Sequence, residues 1–155
     1  MTEDRLRARK PVLLADSGDR YLGAPVVIHG CDAGRWLQYW IAYPADPDHP
    51  GIDWEMIMLR EQDGVIVEAV YARHRTARRK PASGLLMHGS QPCVFVGRNK
   101  HASYFRPGWY RHGLHLERAN GKHELDAALM LGVPDPVRGR VAHRDPDRWL
   151  SELGV

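Results

Sequence analysis

Residues 49–60 read HPGIDWEMIMLR. Along a strand, successive side chains point to opposite faces. Trp54, Met56 and Met58 therefore share one face, and Asp53, Glu55, Ile57 and Leu59 share the other. The first face is apolar throughout, whereas the second opens on two acids. Their Cα atoms would lie about 6.5–7 Å apart, close enough for both side chains to reach one cation. Two ionised carboxylates facing a sheet interior call for a cation, an arginine or a shifted pKa. A solvated sheet surface with basic side chains opposite the acids is the other reading of the same spacing.

Working outward, RWLQYWIAYP (35–44) is aromatic and β-branched and reads as a buried strand that closes on proline. ADPDHPG (45–51) is a loop by composition. QDG (62–64) is a hairpin-type turn, followed by the β-prone VIVEAVYAR (65–73). APVVIHG (24–30) and PCVFVGR (92–98) are further apolar strands, and HASYF (101–105) continues the second beyond a turn at Asn99–Lys100. Leu125, Leu129 and Met130 stand at helical spacing in HELDAALMLGV (123–133), which predicts a helix ending near Gly132 and Pro134. DPDRWLSEL (145–153), with Asp145 as N-cap before Pro146, predicts a short terminal helix. The expected fold is mostly β: an antiparallel β-sandwich with one or two short C-terminal helices, in a single domain over 1–155.

The chain has 155 residues, is 43% hydrophobic and 26% charged, and carries a formal charge of +3, which fits a globular domain and does not call for nucleic acid. Charge is concentrated in YARHRTARRK (71–80), read as a solvated loop or as an attractor for phosphate, lipid headgroup or nucleic acid. MTEDRLRARK has no apolar core of a secretory signal, so cytoplasm is the expected location. No run of about 18 apolar residues suggests a membrane span, though peripheral membrane contact stays open. Cys31 and Cys93 are read as free thiols. Trp36, Tyr39, Trp40, Trp54 and Tyr71 are read as core and pocket lining rather than as base-stacking platforms.

LQYWIAYP, a histidine, and then DWEMIML resemble a segment of the vacuolar protein sorting-associated protein 62 family and, more distantly, of the necrosis- and ethylene-inducing peptide-like proteins (NLPs). VEAVYARH (67–74) and PCVFVGRNKHASYFRPGWY (92–110) extend the likeness to the first family, which covers roughly 35–110. The resemblance implies a β-sandwich with a divalent cation at one end, with Asp53 and Glu55 as ligands. It also implies a ligand histidine three residues before the Asp; here Pro50 stands there and His49 lies one position further back. Asp46 or Asp48 would supply the upstream acid. By the same matching, His74 and His101 face the same end of the sandwich.

Carboxylate-rich ligation suits Mg²⁺, Mn²⁺ or Ca²⁺, whereas His49, His74 and His101 together could recruit zinc or iron. Arg73, Arg75, Arg78 or Arg98 could clamp a phosphate or carboxylate, and His101, Ser103 and Tyr104 could form a polar pocket wall. In RHGLHLE (111–117), read as one strand, His115 and Glu117 share a face and His112 points away, so no joint metal site is expected there. KHELD (122–126) lacks the second histidine of a zinc-protease motif. The leading functional expectation is a metal-dependent enzyme, a hydrolase or relative, acting on a small anionic substrate with His74 or His101 as general acid or base. The alternatives are a metal-assisted glycan- or lipid-headgroup-binding module and a non-catalytic interaction domain.

Overall fold

The computed structural model describes residues 2–44 and 51–155. Thr2–Ala8 forms helix α1; the early strands are β1 (Val12–Ala15), β2 (Val26–Ala33) and β3 (Trp36–Tyr43). A continuous run of hairpins follows in β4 (Asp53–Gln62), β5 (Val65–Arg73) and β6 (Thr76–Pro81). Then come β7 (Met87–His88), β8 (Gln91–Val96), β9 (Ser103–Tyr104), β10 (Gly108–His112), β11 (His115–Ala119), β12 (His123–Glu124) and β13 (Ala127–Leu131). Helices α2 (Asp135–Arg138), α3 (Val141–Arg144) and α4 (Pro146–Leu153) close the chain. None of the described helices is long and apolar enough to cross a membrane.

The main sheet has six strands in the order β13-β2-β3-β4-β5-β6. A smaller sheet runs β12-β1-β8-β7 with β9 also on β8, and β10–β11 forms a separate ribbon. The expected antiparallel sandwich is corrected in one respect: β13 pairs parallel with β2, and β1 parallel with β8. Both parallel partners come from far along the chain, which is the separation that a parallel pairing requires.

The face assignment in the opening stretch holds. Ile57 and Leu59 join Ile28, Tyr39, Ile41 and Tyr71 in a core shared with Leu13, Val94, Val96 and Phe105 of the smaller sheet. Met56 and Met58 join Trp36, Trp40 and Val70 on the opposite face, beneath Val137, Ala142 and Leu150 of the C-terminal helices. The main sheet is thus covered on both sides, which explains why β3 reads as an almost unbroken apolar run.

Two expectations change. Residues 123–133 are not helical: Ala127–Leu131 forms β13, hydrogen-bonded along the β2 edge, so pairing overrides the helical spacing of Leu125, Leu129 and Met130. The basic segment 71–80 is not an irregular loop but a hairpin, with Arg73 opposite Thr76 across a turn at His74–Arg75. The terminal helix stands as expected. Asp145 accepts a hydrogen bond from the Arg148 N–H, Pro146 opens the helix, and Gly154 ends it at φ +72°. Cys31 and Cys93 are free thiols.

On β5, Glu68 is clamped by Arg60 of β4 at 2.6 Å and Arg79 of β6 at 2.7 Å. The hydrogen bonds from Arg79, which outweigh partial burial, and those from Arg60 pull its pKa down to about 2. A depressed carboxylate stabilises the fold fully above its ordinary value and loses that contribution as pH falls towards about 2. Glu68→Gln is expected to cost at most about 1 kcal/mol at pH 7, given solvent screening. Urea unfolding as a function of pH should show the wild-type advantage shrinking below about pH 4.5.

Candidate functional site

Strand ends converge at one end of the layer between the two sheets. Asp53 and Glu55 open β4, opposite Tyr43 and Ile41 at the close of β3. His74 follows β5, and the 97–102 turn follows β8. That turn is closed by hydrogen bonds from Gly97 N to the Ala102 carbonyl and from His101 N to the Gly97 carbonyl, both 2.9 Å. His74 and His101 adopt φ of +50° and +63°. Such left-handed backbone costs a non-glycine residue roughly 1–3 kcal/mol and persists only where the surroundings enforce it.

His101 is buried and ion-paired on both ring nitrogens, Nε2 to Asp19 at 3.1 Å and Nδ1 to Asp53 at 3.3 Å. Its ring stacks on Tyr43 at a centroid distance of 4.3 Å. Burial alone would lower its pKa, but the hydrogen bonds to Asp19 and Asp53 outweigh that and raise it to about 9. His101 is therefore an imidazolium at neutral pH. Burial would raise the Asp19 pKa, yet the His101 bond and the Tyr21 and Asn99 N–H groups hold it below the usual range. Burial first, then the nearby charges of Asp53 and Glu117, push Glu55 well above the usual carboxyl range. The acid pair thus draws on a protein cation and a shifted pKa, two of the three remedies expected for it. Asp46, Asp48 and His49 lie outside the described residues.

The larger opening is elsewhere at the same end. A cavity of about 870 Å³ is lined by Arg73, Arg75, Arg98, Trp109 and Arg118, with His74, His112 and Glu117 in its wall. Sequence reasoning named Arg73, Arg75, Arg98 and His74 for such a site and missed the rest. Arg118 is held by Asp16 through two contacts of 2.7 Å, and Arg98 Nε donates to the Gly18 carbonyl at 3.0 Å. The Arg73 guanidinium lies 4.8 Å from the Tyr104 ring centroid and 5.2 Å from that of Tyr110, which stack on each other. Tyr104 thus lies behind Arg73, and His101 is absent from the cavity lining.

His112 and Glu117 meet because 111–117 is a hairpin rather than one strand. The turn falls at Gly113–Leu114, with Gly113 at φ +60°, so His112 pairs with His115 and Tyr110 with Glu117. Opposed residues share a face, which returns His112 to the side of Glu117. The alternation of a single strand fails at a histidine–glycine turn, and Gly113 is the signal that marks it.

Glu117 is buried, its Oε1 lying 3.2 Å from His74 Nε2 and 3.7 Å from His112 Nε2. Tyr104 donates its phenol hydrogen to Glu117 Oε1 and lies against His112 Nε2. Burial and then His74 lower the His112 pKa, which favours the neutral imidazole. One candidate ligand atom from each of His74, His112 and Glu117 lies within 4.8 Å of the others, so the group could hold a metal ion.

Comparison with solved structures places this arrangement in a known fold. A structure described as NLPPya in complex with glucosamine matches with a TM-score of 0.55 at 13% identity, over 84% of this chain and 72% of that one. NLPPya in complex with mannosamine gives 0.53 at 14%, over 84% and 72%. A structure described as a toxin fold for microbial attack and plant defense gives 0.51 at 11%, over 84% and 73%. The chain has an NLP-like fold. No family model matches it, and no curated protein does.

Two substitutions test this geometry. A β-carbon at Gly97 would overlap the Glu117 carboxylate, so Gly97→Ala is expected to displace Glu117 and cost about 1–3 kcal/mol by overpacking. Asp19→Ala leaves the His101 imidazolium with one carboxylate and is expected to cost about 3 kcal/mol. Chemical denaturation with intact far-UV circular dichroism measures both, and a change below about 0.5 kcal/mol, the ordinary range for a surface site, would contradict the assignment.

Proposed function

We propose that the chain is a sugar-headgroup-binding module whose ligand occupies the arginine-lined cavity. The observation that carries this reading is the cavity itself. Three guanidinium groups positioned by Asp16, Gly18 and the Tyr104–Tyr110 stack converge beside an exposed tryptophan. Guanidinium groups bind phosphate and carboxylate through paired hydrogen bonds, and Trp109 offers a flat apolar face for a sugar ring. The NLPPya complexes with glucosamine and mannosamine lend support to a sugar as ligand. Both of those sugars carry an amine, whereas this cavity is cationic. The preferred ligand here is accordingly a sugar bearing phosphate or carboxylate.

This reading ranks ahead of the metal-dependent enzyme, because the similar structures hold sugars and His101 is tied up between two acids. The motif likeness to the vacuolar protein sorting-associated protein 62 family belongs to the same proposal. So does a divalent ion (Mg²⁺, Mn²⁺ or Ca²⁺) at Asp53 and Glu55 with Asp48 and His49. Trp109, Leu114 and Leu116, exposed on the β10–β11 ribbon, suit a headgroup presented at a membrane surface.

The test is a thermal-shift titration with glucose 6-phosphate and glucosamine. The phosphorylated sugar is expected to raise the melting temperature by mass action, glucosamine much less, and Arg75→Ala/Arg98→Ala to abolish the difference. Equal responses to the two sugars, or an unchanged response in the folded double variant, would refute the reading.

A further inference from the structure

We infer that His74, His112 and Glu117 form a zinc site, separate from the Asp53–Glu55 pair and independent of the sugar reading. The donor set is two imidazoles and one carboxylate from two hairpins, β5–β6 and β10–β11. Two nitrogens and one oxygen suit a borderline transition ion, whereas calcium and magnesium take shells made of oxygen.

The spacing agrees. Zinc bonds of about 2.0–2.1 Å in a tetrahedral shell put neighbouring ligand atoms roughly 3.4 Å apart. Glu117 Oε1 stands 3.2 Å from one Nε2 and 3.7 Å from the other. The two imidazoles meet edge to face at 4.4 Å between centroids, and the Nε2 atom of each faces the same Glu117 oxygen.

An independent observation points to a missing partner. Glu117 Oε2 is buried with no hydrogen-bond partner among the described residues, on a side chain only 4% exposed. A buried acceptor left unmade costs about 1–3 kcal/mol, more if charged, and a cation held by both carboxylate oxygens would satisfy Oε2 as well as Oε1. The surroundings also hold the ligands in place. Gly97 makes room for the carboxylate, Tyr104 donates to it, and His74 is fixed in a left-handed turn. Outer hydrogen-bond partners of this kind orient metal ligands. Three protein ligands leave a fourth position, and the cavity runs along the same wall.

The experiment uses the full chain, stripped with chelator and titrated calorimetrically with zinc chloride, with bound metal counted by elemental analysis. One zinc per chain is expected, not displaced by millimolar calcium. His112→Ala and Glu117→Gln should weaken binding about 100-fold or more, and Tyr104→Phe about tenfold, the range for an outer partner. His115→Ala, on the same ribbon, should leave binding unchanged. Absence of stoichiometric zinc, undiminished affinity in folded Glu117→Gln, or displacement by calcium would overturn the inference. If the ligand variants fail to fold, the cobalt(II) form of the wild type decides: intense tetrahedral absorption supports the site, and weak octahedral absorption refutes it. No sugar enters the titration, so its failure leaves the cavity reading untouched, and the converse holds.

Discussion

Tyr43 lies opposite Asp53 and Ile41 opposite Glu55, so the last rungs of the β3–β4 ladder carry two carboxyl groups into the end of an apolar layer. Their position follows from the register. A slip of one residue would move Ile57 and Leu59 out of one core and Met56 and Met58 out of the other. Glu55 is only 6% exposed, whereas the Asp53 side chain keeps 18% of its surface, so Glu55 is shut off from water and Asp53 only partly.

The surroundings differ from acid to acid. Asp53 meets His101, which burial would discharge but two carboxylates keep charged. Glu55, between Asp53 and Glu117, has its charge disfavoured. Glu117, arriving from the other hairpin, is met by two imidazoles and a phenol. One end of the sandwich thus holds a closed ion-pair chain and, beside it, an open cluster facing the cavity. The closed chain supports the fold. The open one has unmet bonding capacity, and there a ligand or ion has something to gain.

The fold is NLP-like, and two of the similar solved structures are described as complexes with glucosamine and mannosamine. A shared fold leaves the ligand to be argued from the side chains. Here those are guanidinium groups, each held by its own acid, carbonyl or aromatic stack. Such preorganisation lowers the cost of ordering side chains on binding. It also gives a role to Asp16, which is buried and hydrogen-bonded to Arg118, Gly18 and Asn120.

Local pattern alone determined the central strands, the alternation of faces in β4, the Asp63–Gly64 hairpin turn, the Asp145 cap and the free thiols, since each depends on neighbours in sequence. It also marked Arg73, Arg75 and Arg78 as candidates, because basic residues cluster in 71–80, whereas His74 was marked by the family resemblance. Tertiary structure decided the parallel pairing of β13 with β2, which converts a helical spacing into an edge strand. It likewise decided which histidines meet which acids. Asp19 reaches His101, and Glu117 reaches His74, across separations of many tens of residues. No periodicity records such contacts: they arise only when separate hairpins are packed against one buried layer, and burial then sets the charge of each group.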